Sequence, residues 1–171
     1  MNPGTNANIK RNAPLFMKNI APFVADLQAG SVVKRRAAAV ALGKSGSVAA
    51  IPPLASALGD PHIAVRCECV QALGRLADSS AVPHLISALD DAEPAVRAAA
   101  LAALGRIKDP ASLTAVMALV NDKDMTVRIG AAVVLGKLGD RRAIGPLEHL
   151  LRDPFSEVRE AAEAACVRLR R

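Results

Sequence analysis

The 171-residue chain carries 22 Lys and Arg against 16 Asp and Glu, a net +6, and is 51% hydrophobic with three Phe, no Trp and no Tyr. No apolar run reaches the ~18 residues of a membrane helix, and the polar start Met1-Asn2-Pro3-Gly4 has no apolar segment of a secretory signal. Three cysteines in a chain without such a signal read as reduced thiols, so a cytoplasmic location is expected and a disulfide framework is not.

In chain order, residues 1–13 show no periodicity and are expected to form a disordered tail. A first helix is expected from near Pro14 to a stop at Gly30, bearing Phe16 and Phe23. Residues 14–30 read as an N-terminal capping helix, because Ile20, Phe23 and Leu27 fall 31 residues before Ile51, Leu54 and Leu58. Four full repeats are expected over 31–157, and a C-terminal half-repeat cap over 158–171, so that 14–171 is one repeat domain.

The period is carried by rows of like residues. Leu42-Gly43, Leu73-Gly74, Leu104-Gly105 and Leu135-Gly136 step by 31 residues, as do Arg35, Arg66, Arg97, Arg128 and Arg159. Asp60, Asp91, Asp122 and Asp153 form a third row. Such a fixed period is the signature of stacked helix pairs. In the second repeat a helix A is expected over Ile63–Leu76, with apolar Val65, Cys69, Ala72, Leu73 and Leu76 at helical spacing. Ser47, Asp78, Asp109 and Asp140 are capping residues at a short turn. Helix B then begins near Ala50, Ala81, Ser112 and Ala143, so that Pro52 and Pro83 fall in its first turn. It should bury Ile51, Leu54, Leu58 and their counterparts, ending with Ile144, Leu147 and Leu151 in the fourth repeat. In the last helix Cys166 stands in the leucine row and Val167 in the glycine row.

The pattern Val-Arg-x-x-Ala-x-x-Ala-Leu-Gly-basic-apolar, with an aspartate six residues before the arginine, resembles the HEAT-like repeats first associated with phycobilisome lyases, over about Leu15 to Arg171. The fold class is therefore all-α: a right-handed α-solenoid, or superhelix, of 31-residue HEAT-like helix pairs with about ten helices. The resemblance also implies that A helices line the convex side and B helices the concave side.

The rows supply ten of the 22 bases and seven of the 16 acids, half of the net charge, so much of the basicity follows from the repeat itself. Arg and Asp six apart across each turn are expected to pin neighbouring repeats together, with Arg35 left without a partner because its row position is Ala29. An anion-binding arginine row is the alternative. The bases after each glycine, Lys44, Arg75, Arg106, Lys137 and Arg168, suit the negative ends of their helices. They could also track a nucleic-acid backbone, a reading disfavoured by the lack of aromatic stacking platforms.

No chemistry is expected. His62, His84 and His149 are not followed by glutamate, so the His-Glu pairs of di-iron HEAT-like hydroxylases are missing. Cys67-x-Cys69 lacks the remaining ligands of a zinc site. No catalytic, cofactor or metal residues are assigned. What varies from repeat to repeat is the outer face of helix B: Pro53, His84, Ala115 and Pro146; Ser56, Ser87, Ala118 and His149; Gly59, Asp90, Asn121 and Arg152. These rows are expected to hold a protein partner, making the chain a non-catalytic scaffold with no membrane contact and no assigned oligomeric state. An accessory role of bilin-lyase type on phycobiliproteins is the second reading, implied by the resemblance alone.

Overall fold

The computed structural model describes residues 19–171, and the expectations for the tail 1–13 and for a helix start near Pro14 lie outside the described residues. Among the described residues ten α-helices run in order: α1 (Ala21–Ala29), α2 (Val32–Lys44), α3 (Ile51–Ser56), α4 (Ile63–Leu76), α5 (Val82–Ser87), α6 (Pro94–Ile107), α7 (Leu113–Ala118), α8 (Met125–Leu138), α9 (Ile144–Leu150) and α10 (Ser156–Arg170). No strand occurs among the described residues. The even-numbered helices are the long A helices, stacked side by side. Each odd-numbered B helix packs on the A helix that follows it, and the product is an α-solenoid.

The B helices are short because their ends are wound more tightly. Single 3₁₀ turns, Val48–Ala50, Ser79–Ala81, Pro110–Ser112 and Arg141–Ala143, lead into them. Asp78, Asp109 and Asp140 cap these turns, each accepting from the amide two residues on at 2.9 Å. In the first repeat Ser47 caps nothing, and Ser45 Oγ accepts the Ser47 amide instead. Pro52 and Pro83 then sit in the first turn of the α-helix, where no donor is missed.

The core is one continuous stripe. Leu42, Leu73, Leu104 and Leu135 are fully buried along the A helices, and Leu54, Leu85, Val116 and Leu147 along the B helices. Burying each leucine contributes about 1.5–3 kcal/mol. The A helices approach closely because of the glycine row: a Cβ on Gly43 would lie 2.7 Å from the Ala72 Cα, and one on Gly74 2.7 Å from the Ala103 Cβ.

Two expectations need correction. Leu150, not Leu151, is buried at the end of the fourth repeat, and Leu58 and Ile144 are only half-buried. Helix α9 runs one residue further than its counterparts, through Leu150. Leu151 is 38% exposed, and among the described residues no B helix covers it as the one bearing Ser87 and Ala88 flanks Leu58. Gly30 ends α1 as expected, in an extended conformation (φ −74°, ψ 166°). Only glycine fits there, since a Cβ would collide with the Asp26 carbonyl oxygen.

The arginine ladder is the second. Arg66 does reach the turn six residues back, but there its NH1 donates to the Asp60 main-chain carbonyl at 2.9 Å. Its Nε and NH2 donate to the Asp91 carboxylate at 2.7 and 3.0 Å, 25 residues ahead. Arg97–Asp122 and Arg128–Asp153 repeat the arrangement. Arg35 is therefore not the exception: it pairs with Asp60 at 2.6 and 3.0 Å. Arg159 keeps the two carbonyl contacts, to Asp153 and Pro154, and meets no carboxylate among the described residues. Each aspartate turns forward because its own Oδ1 is held by the amide two residues on, as in His62 N–H to Asp60 at 2.8 Å.

Candidate protein-binding face

The rows read from the sequence lie on the surface of the B helices. Ser56, Ser87, Ala118 and His149 are exposed, as are Gly59, Asp90, Asn121, Arg152 and His84, while Pro53, Ala115 and Pro146 are half-buried. The serines offer little free hydrogen bonding, since Ser56 Oγ donates to the Pro52 carbonyl at 3.1 Å and Ser87 Oγ to that of Pro83 at 3.2 Å. A hydroxyl bonded to its own helix leaves a smooth, weakly polar surface.

Two grooves cut this surface, one repeat apart. The first, about 420 Å³, lies between α1 and α3 and is walled by Gln28, Pro53, Ser56 and Gly59 over Leu27. The second, about 290 Å³, lies between α3 and α5 and is walled by Gly59, Ser87, Ala88 and Asp90 beside Leu58. Leu27 and Leu58, Ser56 and Ser87, Ala57 and Ala88, and Asp60 and Asp91 are equivalent under the 31-residue step. One groove shape is thus made twice, with Gln28 against Gly59 and Gly59 against Asp90 as its variable walls. Gln28 was missed on sequence grounds, although the same step back from Gly59 reaches it. Ala115, Ala118, Asn121, Pro146, His149 and Arg152 continue the rows but line neither groove.

Electrostatics at the floor belong to the ladder. The Arg35 guanidinium hydrogen-bonded to Asp60 holds its carboxyl below the usual range, and Arg128 does the same to Asp153. At Asp91 and Asp122 burial is the largest single influence and pushes the carboxyl up, but the hydrogen bonds from Arg66 and Arg97, the turn amides of Glu93 and Asp124 and the nearby positive charges together outweigh it, and the net displacement is downward. The groove carboxylates Asp60 and Asp91 are thus each committed to a guanidinium, while Asp90 stands exposed on the wall of the second groove.

The remaining reactive types are scattered. Burial raises the Cys67 thiol and pushes that of Cys69 up to about 12, which disfavours thiolate. No group of three His, Cys, Asp or Glu that could hold a metal occurs among the described residues. No described helix is long and apolar enough to cross a membrane. The bases Lys44, Arg75, Arg106, Lys137 and Arg168 stand exposed near the ends of the A helices, away from the B grooves.

The family of HEAT repeats matches residues 20–94 and again 82–166, which together span most of the chain. This chain is a HEAT-repeat protein. A comparison with curated proteins gives no match. Among solved structures, the CpcE–CpcF complex of phycocyanin lyase from Nostoc sp. PCC7120 is similar at 28% identity and a TM-score of 0.76, over 88% of this chain and 65% of that one. YibA of E. coli is similar at 27% identity and a TM-score of 0.63, over 91% of this chain and 57% of that one. A designed armadillo repeat protein, solved with the peptide (KR)4, shares the fold at 21% identity and a TM-score of 0.69. This HEAT solenoid therefore spans less than two thirds of the length of its CpcE–CpcF and YibA neighbours.

Proposed function

We propose that this HEAT solenoid binds another protein through its B-helix face and performs no chemistry itself. The observation that carries the reading is the repeated groove: two clefts one repeat apart, alike in floor and different in wall. Such a pair suits successive side chains of one bound segment, the way repeat surfaces read extended partners.

The test is the double substitution Ser87→Glu plus Ala118→Glu, with Lys44→Glu plus Arg75→Glu on the A side as control. Ser87 and Ala118 are exposed on successive B helices, so stability should change by less than ~0.5 kcal/mol. A partner closing over this face would bury uncompensated carboxylates, which is strongly unfavourable. Proteins captured from the native cytosol by the wild type should be lost with the B-face pair and retained with the A-side pair. Loss with the A-side pair alone would place the working surface elsewhere.

The likeness to the CpcE–CpcF complex supports a second reading, an accessory subunit of bilin-lyase type acting on phycobiliproteins. A captured partner that carries a covalent bilin would favour it, and a partner without one would favour the general scaffold.

A further inference from the structure

On the side of the A helices a different groove, about 590 Å³, opens between α6 and α8. Its floor is apolar and low, built by Ala98, Ala102, Gly130 and Val133, and Val133 is 39% exposed. Arg106, Lys108 and Lys137 line the same groove. None of the three forms an ion pair among the described residues. Helices α6 and α8 contain no Asp or Glu along their whole length, whereas α4 carries Glu68 and α10 carries Glu157, Glu160 and Glu163. The nearest acid in sequence, Asp109, is engaged in accepting the Ala111 amide. Here an apolar hollow meets three cations with no acid on either helix.

We infer that this groove docks an acidic polypeptide segment that places at least one large apolar side chain on the Ala98–Val133 floor and its carboxylates on Arg106, Lys108 and Lys137. The charge calls for an anion, and the floor calls for apolar bulk between the anionic groups. A nucleic-acid backbone supplies the first without the second, and the chain has no Trp or Tyr for bases to stack on. A flat anionic bilayer would leave the hollow unfilled. Exposed ion pairs are individually weak and screened by salt, so the apolar contact sets a floor to affinity and the cations set its salt dependence. This is a second surface, independent of the B-face reading.

The test uses a fluorescein-labelled peptide of alternating glutamate and leucine, followed by anisotropy. Binding should weaken about tenfold with Arg106→Glu plus Lys137→Glu, and comparably with Val133→Asp, all at exposed positions that leave circular dichroism unchanged. The Ser87→Glu plus Ala118→Glu protein should bind as the wild type does. A peptide with serine for every leucine should bind more weakly, and one with lysine for every glutamate not at all. Equal binding of the serine peptide would reduce the groove to bulk charge attraction and overturn the inference. So would displacement of the peptide by random duplex DNA, or by phosphatidylserine vesicles, at lower concentration than unlabelled peptide requires.

Discussion

Each inner arginine of this solenoid closes two connections with one planar group. Arg97 donates NH1 to the Asp91 and Ala92 carbonyls of the turn behind it, and Nε and NH2 to Asp122 in the turn ahead. A guanidinium supplies five donors in a fixed fork, which a lysine could not match. Both side chains of the pair are nearly buried, at 7% and 9% exposure, so removing one partner strands the other. Asp122→Asn should therefore cost about 2–3 kcal/mol at neutral pH, a little below what a wholly buried pair loses. The pH dependence follows from the downward displacement of the Asp60, Asp91, Asp122 and Asp153 carboxyls. A carboxyl held lower in the folded state stays ionised while the unfolded chain takes up protons, so the ladder's contribution is complete above about pH 5 and is lost as pH falls through the ordinary carboxylate range and below. Urea unfolding should give a flat midpoint from neutral pH to about pH 5 and a fall beneath it. Asp122→Asn should lower the plateau and shallow the fall. An unaltered acid slope would show that these pairs are not its source.

At the scale of the element, helix A is shaped by two positions three residues apart with opposite demands. Gly74 lies inside α4, where glycine costs about 1 kcal/mol in helix propensity relative to alanine. It is nonetheless required, because a Cβ would lie 2.7 Å from the Ala103 Cβ and 3.0 Å from its Cα on α6. Ala77, which ends α4, has φ 52°, in the left-handed region that L residues enter at a cost of roughly 1–2 kcal/mol. Gly46, Ala77, Lys108 and Gly139 make up this row, and only two of them are glycine. Gly74→Ala should destabilise by about 1–3 kcal/mol through overpacking, whereas Ala77→Gly should stabilise by about 0.5 kcal/mol. Denaturant melts of the two single variants check both signs. Equal losses would mean that helix spacing does not limit packing here.

The whole molecule is a nearest-neighbour stack, so its ends carry a burden the interior does not. At the C-terminal end Val167 occupies the glycine row and is 48% exposed. A helix laid on α10 as α6 lies on α4 would meet that side chain where Gly74 leaves room. At the other end α1 packs against α2, with Leu27 buried and Phe23 and Val24 half-buried against the core. We propose that α1 serves as the N-terminal cap. Deleting residues 1–30 should lower the melting temperature and cause concentration-dependent aggregation, read by calorimetry and light scattering. A monomer with unaltered melting would refute the cap.

Much of this architecture was legible from periodicity. The 31-residue step, the bounds Ile63–Leu76 of α4, the prolines in the first turns of α3 and α5, and the buried leucine and alanine rows all follow from which residues recur and at what spacing. Repetition places equivalent residues in equivalent environments. It does not say which neighbour a side chain reaches. An arginine six residues after one aspartate is 25 residues before the next, and in a 31-residue period the two pairings have the same pattern everywhere except at the ends. Tertiary structure decided between them by turning each aspartate forward onto its own turn amide, which pairs Arg35 and leaves Arg159 without a carboxylate among the described residues. The inward turn of Leu150, the left-handed exits at Ala77 and Lys108, and the depth of the grooves likewise depend on contacts between helices. Those distances are set by packing in three dimensions, and a one-dimensional period carries no record of them.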